Sequence, residues 1–233
     1  QDEGLVARFQ REARAAGAIE SRYIAQVHDA GTDAATGSPY LVMELLVGED
    51  VDGLLRRLGP LRPDLALRIA AQALAGLDRA HAAKVIHRDL KPANLYVAQS
   101  DGGARVVKVV DFGIAKVKDD LATSRDHALT QTSALLGSPM YMSPEQAKAS
   151  KTVDARADLW SMGIVLHQLL TGRTSHAHAE SLTELLLAIC TEKARPVQDE
   201  APWVPAEIAM IVEKALRIDP AQRYATAGEM LSA

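Results

Sequence analysis

The chain has 233 residues, a formal net charge of −4 and 48% hydrophobic residues, an ordinary globular composition that suits one large domain or two small ones. The mild negative balance gives no whole-surface pull toward nucleic acid or anionic membrane, and a single cysteine, Cys190, excludes an internal disulfide and fits a reducing compartment. No apolar run reaches the ~20 residues that cross a bilayer and no leader is visible at the start, so a cytoplasmic chain is expected, while a first residue of Gln1 rather than Met is what a piece of a longer chain would show.

Residues 4–18 predict a helix, with Leu5, Phe9 and Ala13 four apart on one face. Two apolar, strand-like runs follow at 23–31 and 38–46, joined by the polar loop TDAATG. Residues 51–58 read as a short helix stopped by Gly59-Pro60, and 63–83 as a longer one with Leu65, Ile69, Ala73 and Leu77 on its stripe. The runs 94–98 and 104–110 flank the turn SDGG and predict a hairpin. Residues 114–153 form a long polar segment, which in a compact domain is either functional or disordered. Helix 155–171 is apolar nearly all round and is therefore expected at the centre of a core, and helices near 181–193, 205–217 and 226–232 follow. Cys190 lies on an apolar helix and is expected to be buried. The order of elements, strands first and then mostly helices, predicts an α+β domain with two lobes.

The stretch VIHRDLKPANLYV (85–97) crowds polar groups between two apolar runs. A carboxylate on such a tight loop, Asp89, can accept a proton from a hydroxyl. Lys91 can stabilise charge on a phosphoryl group, Asn94 offers a hard neutral oxygen to Mg²⁺, and Pro92 restricts the loop between them. Asp111 follows 22 residues after Asp89, and the hairpin between them can bring it back beside Asn94. Two acids, an amide and a lysine around one point describe a metal-assisted phosphoryl-transfer site.

HRDLKPAN followed by DFG resembles the protein kinases, and SPEQ (143–146), DLWSMG (158–163) and PAQRY (220–224) continue the likeness in order from about residue 4 to 233. With TQT ahead of GS and SPEQ, the chain is most similar to bacterial serine/threonine kinases of the eukaryotic type. The resemblance implies a two-lobed fold, with a partial small lobe over 1–47 and a complete, mostly helical lobe over 48–233. It implies Asp89 as the catalytic base, Lys91 as the loop lysine, and Asn94 and Asp111 as Mg²⁺ ligands. Met43 falls at the gatekeeper position, Glu44 to Leu46 at the hinge that bonds adenine, and Tyr96 on the floor of that pocket. Glu12 resembles the glutamate that pairs with the ATP-anchoring lysine. His87 and Phe112 resemble members of the stacked apolar spine, Arg88 the arginine that meets a phosphorylated loop, and Thr130 and Thr132 the phosphoacceptors. Ser138 stands where the family usually has Thr beside the substrate, Glu145 and Arg223 resemble the ion pair that ties the segment down, and Asp158 resembles the brace of the HRD backbone. ATP and Mg²⁺ are the implied cofactors. Proteins with Ser or Thr are the implied substrates, with a transient homodimer for phosphorylation in trans, no nucleic-acid partner, and a membrane anchor possible only outside these residues.

Besides Ser138 for the usual Thr and Tyr96 for the usual aliphatic residue or Met, the chain departs from the family in its phosphate-binding parts. No Gly-rich phosphate loop occurs, and only eleven residues precede Glu12, too few for the anchoring lysine. The 233 residues by themselves are therefore expected to have very low activity. Two readings follow: a fragment of an active kinase, or a truncated pseudokinase-like module that binds partners. The intact Asp89, Lys91, Asn94 and Asp111 favour the first. A small-molecule phosphotransferase is disfavoured, since such proteins generally lack the SPE segment and the DLWSMG helix.

Overall fold

The structure is a computed structural model that describes residues 10–11, 13–33, 35–36, 38–100, 102–112, 139–150 and 152–233. Residues 10–11 and 13–17 are helical, with Ala13 and Ala16 turned into the core. The first sheet is an antiparallel pair, β1 (Val27–Thr32) and β2 (Pro39–Met43), in the register Val27 to Met43 and Thr32 to Pro39, with an irregularity between Val27 and Asp29. The apolar run over 38–46 was expected to be strand throughout, but β2 ends at Met43. Beyond it Glu44 still donates to Gln26 O (2.9 Å), while Leu45 points outward and is 91% exposed. Hydrophobicity alone therefore overstates this strand: the backbone leaves the sheet before the apolar run stops.

The second sheet has the order β3 (Gly48–Asp50), β4 (Leu95–Gln99), β5 (Arg105–Val109), all antiparallel. The hairpin β4–β5 lies where the sequence placed it. β3 was not foreseen, because Gly-Glu-Asp has no strand propensity; pairing with β4 creates it. Gly48 makes that approach possible, since its φ is +153° and a Cβ would lie 2.0 Å from Val97 O. The far edge of β5 is covered. Val107 N donates to Gln72 Oε1 (2.8 Å) and Val109 N to Tyr23 O (2.8 Å), while Ala25 N donates to Val109 O (2.9 Å). These bonds satisfy an otherwise open strand edge and tie the chain around residues 23–25 to the hairpin.

Beyond the helical residues 10–11 and 13–17, eight α-helices are described: α1 (Val51–Leu58), α2 (Pro63–Ala82), α3 (Pro144–Ala147), α4 (Arg156–Thr171), α5 (Leu182–Thr191), α6 (Val197–Glu200), α7 (Ala206–Ala215) and α8 (Ala227–Ser232). Local signals account for most of their ends. Asp50 caps α1 by accepting from Gly53 N (2.7 Å), Pro63 opens α2, and Gly172 closes α4. α4 is buried nearly all round, with Leu159, Trp160, Met162, Ile164, Val165, Leu166, Leu169 and Leu170 in the core. α2 turns Ala66, Ile69, Ala73, Leu74 and Leu77 inward. The end of the long polar segment is not loop, since 139–141 is a 3₁₀ turn and 144–147 is α3. Cys190 is half-buried rather than buried, because it sits at the border of α5 with Sγ 3.9 Å from Pro144 O. No helix among the described residues is long and apolar enough to cross a membrane.

Gly163 lets α4 and α7 touch. A Cβ at this position would stand 2.9 Å from Ala215 Cβ and 2.9 Å from Leu216 Cδ2, both buried. Gly163→Val is expected to destabilise the fold by about 3 kcal/mol, because a packed core resists insertion more than a helix gains from losing glycine. Equilibrium unfolding in urea checks this, and an unmoved midpoint would show that α7 yields freely.

Candidate active site

The loop after α2 is held from beneath by one carboxylate. Asp158, fully buried in the first turn of α4, accepts from His87 N (2.9 Å) and Arg88 N (2.8 Å), and from His81 Nε2 (2.8 Å) on the last turn of α2. His87 is fully buried, with Nε2 donating to Val110 O (2.9 Å), while Nδ1 accepts from Asp89 N (3.3 Å). Its ring meets Phe112 edge-on, with centroids 4.9 Å apart. The two residues that the resemblance likened to members of an apolar spine are therefore in contact.

The loop is locally strained where chemistry is expected. Arg88 has φ +68° and Asp111 φ +60°, left-handed conformations that cost a non-glycine residue of order 1–3 kcal/mol and persist only where neighbours enforce them. On Arg88 those neighbours include Asp158. Just past this turn, Asp89 faces Lys91 and Asn94. Lys91 Nζ donates to Asp89 Oδ2 (2.7 Å), and both side chains are about a quarter exposed (24% and 21%). Asn94, on the 3₁₀ turn Pro92–Asn94, donates from Nδ2 to Asp89 O (2.7 Å) and more weakly to Asp89 Oδ2 (3.4 Å). Asn94 O in turn accepts from Val110 N (3.0 Å), the residue just before Asp111. The expected return of Asp111 to the neighbourhood of Asn94 is thus made through the backbone.

Oxygen chemistry on this loop suits a hard cation. With Nδ2 committed to Asp89, Oδ1 is the atom Asn94 can offer, and Asp111 adds a carboxylate. Among the described residues no group of three or more His, Cys, Asp or Glu could hold a metal by itself. Mg²⁺ needs no such cage, since it is held by one or two protein oxygens together with substrate phosphates and water.

A second cluster lies where the first sheet gives way to the second. Glu44 Oε1 accepts from Gln26 N (2.7 Å) and from Lys108 Nζ (2.6 Å) on β5. Burial pushes the Glu44 carboxyl up, but the bonds from Lys108 and Gln26 outweigh it and hold the group below its usual range. Met43 ends β2 and Leu46 is half-buried two residues past Glu44. Tyr96 is half-buried on β4 with its hydroxyl donating to Gly48 O (2.8 Å), so the partner its polar end needed is a strand carbonyl.

The third cluster anchors α3. Arg223 lies wholly buried and makes five hydrogen bonds, two of them the fork onto Glu145 (Nη1 to Oε1 2.8 Å, Nη2 to Oε2 2.9 Å) and three to the carbonyls of Arg217, Arg156 and Ile218. Its guanidinium also lies 5.0 Å from the Trp160 ring centroid. Glu145 and Arg223 are therefore paired, as the resemblance implied. Glu12, Thr130, Thr132 and Ser138 lie outside the described residues.

Four residues of these clusters were not picked out from the sequence. His81 and Lys108 gave no local signal, since a histidine at a helix end and a lysine in a strand are ordinary. Gln26 is likewise plain. Gln146, on α3 next to Glu145 with Nε2 donating to Arg88 O (2.8 Å), had a partial signal: Ser143 three residues ahead of it spells a capping box.

The family model described as protein kinase domain matches residues 1–233. The chain is 40% identical over 228 residues to the serine/threonine-protein kinase pkn3 of Myxococcus xanthus, a match covering 97% of this chain and 41% of that protein. It is 37% identical over 233 residues to the serine/threonine-protein kinase PknB of Mycolicibacterium smegmatis, covering 99% of this chain and 36% of that protein. It also resembles the crystal structure of Rad53 1-466 in complex with AMP-PNP, with a TM-score of 0.73 and 26% identity over 96% of this chain and 53% of that one. The chain spans well under half the length of the two curated relatives.

Proposed function

We propose that this chain, which belongs to the protein kinase domain family, is the catalytic core of a serine/threonine protein kinase that moves the γ-phosphoryl group of ATP to a protein hydroxyl. The observation that carries the reading is the Asp89 carboxylate, held at 2.7 Å by Lys91 on a loop that Asp158 pins from below. In this role Asp89 accepts the proton of the Ser or Thr hydroxyl as its oxygen bonds to the γ-phosphorus and the bond to ADP breaks. Lys91 stands where it can meet the negative charge that gathers on the transferred group. Asn94 and Asp111 would hold Mg²⁺, which when bound neutralises charge on the phosphates.

The adenine would be met by backbone groups between Glu44 and Leu46, with Met43 behind them and Tyr96 below. The Glu44 clamp onto Gln26 and Lys108 supports this, since it steadies the start of that segment. On this reading the small lobe ends near residue 47 and the helical lobe begins at 48. Arg88 would receive a phosphate on Thr130 or Thr132; its Nε is buried without a partner among the described residues. Protein substrates, and a transient homodimer for phosphorylation in trans, belong to the same proposal.

The test is transfer from γ-labelled ATP by the natural full-length protein to a generic basic protein, with Mg²⁺ and with chelator. Labelled phosphoserine or phosphothreonine that disappears with chelator is expected. Label on small sugars or aminoglycosides but never on protein would overturn the reading. Nucleotide-independent partner binding with no transfer would do the same.

A further inference from the structure

We infer that Gln146 is a positioning residue for Asp89, acting from α3 through the Arg88 carbonyl. The amide of Gln146 has both ends committed. Oε1 accepts from Ser143 N (3.1 Å) and from Ser143 Oγ (3.0 Å), and Gln146 N donates back to Ser143 Oγ (3.4 Å), which completes the capping box of α3. Two donors on one side settle which end of the amide is oxygen. Nε2 therefore faces the other way, where it donates to Arg88 O (2.8 Å).

That carbonyl belongs to the peptide that carries Asp89. The N–H of the same peptide, Asp89 N, rests on His87 Nδ1 at 3.3 Å, a long bond. The bond from Gln146 is the shorter of the two that set the plane of the peptide. Arg88 is thus gripped at both ends, its N–H by Asp158 and its C=O by Gln146, in a conformation (φ +68°) that it would leave if released. Relaxation toward negative φ swings the following peptide and moves the Asp89 carboxylate away from Lys91 and Asn94. Placement errors of about 1 Å at a reacting centre cost up to ~10²-fold in rate. α3 therefore carries two adjacent anchors: Glu145 fastens it to Arg223, and Gln146 passes that fixed position on to the catalytic loop, 58 residues away in sequence.

Chemistry offers a clean separation of the two jobs of Gln146. Glu serves the capping box as well as Gln does, because only the side-chain oxygen is used. Towards Arg88 O, however, a carboxylate has no proton to give and sets acceptor against acceptor. Gln146→Glu in the full-length protein keeps the cap and removes only the link to the loop.

The inference rests on Asp89 being the catalytic base, and two readouts separate the failure of one from the failure of the other. The first is hydrogen exchange, which needs no activity. Peptides covering 87–91 should exchange roughly tenfold faster in Gln146→Glu, with the α3 peptide and the melting temperature unchanged. The second is kinetic: kcat should fall about tenfold or more with the KM for ATP within about twofold. Unchanged exchange at 87–91 overturns the inference whether or not the protein transfers phosphate. Faster exchange with undiminished kcat in an active protein also overturns it, since the loop would then be loosened without consequence. If the wild type transfers nothing, the kinase reading fails and the exchange result alone decides whether Gln146 holds the loop. Should Gln146→Glu melt early, Gln146→Ala is compared with Ser143→Ala: loss of the cap alone leaves exchange at 87–91 the same in both, and the inferred link makes it faster only in Gln146→Ala.

Discussion

Asp89→Asn in the full-length protein is expected to lower kcat for protein phosphorylation by ~10²–10⁴-fold, while the KM for ATP stays within about twofold. Asn keeps the size of the side chain and retains an oxygen that can accept from Lys91 Nζ, which lies 2.7 Å from the native carboxylate. The backbone grip from Asn94 Nδ2 on Asp89 O (2.7 Å) is also untouched. What the substitution removes is the capacity to take up a proton, so its effect belongs to the chemical step. Nucleotide affinity should survive, because the residues proposed to meet adenine, Glu44 to Leu46 and Tyr96, make none of the hydrogen bonds described for the Asp89 side chain. Steady-state kinetics at saturating Mg²⁺, with the melting temperature as a check on folding, decides the matter. A kcat within threefold of wild type would remove Asp89 from the base role.

Arg223→Met is expected to cost about 3–5 kcal/mol of stability, the usual result of stranding one member of a buried pair. The carboxylate of Glu145 loses both prongs of its fork, and the carbonyls of Arg156, Arg217 and Ile218 lose their donors. Changing Glu145→Leu together with Arg223→Met should cost clearly less than the sum of the single changes, since no charge is then left buried and alone. Urea unfolding of the two singles and the double measures the coupling, and strict additivity would mean that the pair does not act as one unit.

The same pair makes stability depend on pH with a definite sign. Burial pushes the Glu145 carboxyl up, but hydrogen bonds and charge from Arg223 more than offset this and hold it below its ordinary value of 4.5. A group lowered on folding contributes its full stabilisation above the unfolded value. That contribution is lost as the pH falls through the lower folded one. Glu145→Gln is therefore expected to be less stable than wild type at pH 7 but to lose stability less steeply below about pH 4.5. Unfolding midpoints across that range would show parallel curves if Glu145 did not contribute.

Much of this molecule was legible locally. The helix over 51–58 occupies the predicted residues, because Asp50 caps one end and Gly59 ends the other. The helix from Pro63 and the apolar helix closing at Gly172 follow from a proline, a glycine and a period of 3.6. The hairpin over β4 and β5 follows from SDGG between two apolar runs. The motifs that place Asp89, Asn94 and Asp111 in one region were likewise readable, because the residues proposed to carry the chemistry lie within two dozen positions of one another.

The tertiary structure decided what local preference cannot encode. Three residues with no strand propensity became β3 because β4 offered them hydrogen bonds. An apolar run stopped being strand at Met43, which lies opposite Val27, the first residue of its partner β1. Glu44 met Lys108 across 64 residues and Gln146 met Arg88 across 58. The left-handed turn at Arg88, which no propensity would select, is held by a carboxylate 70 residues away. Periodicity and capping are read from neighbours a few positions apart. A buried polar group must instead find its partner wherever packing places one, and for the loop that carries Asp89 those partners came from α3 and α4.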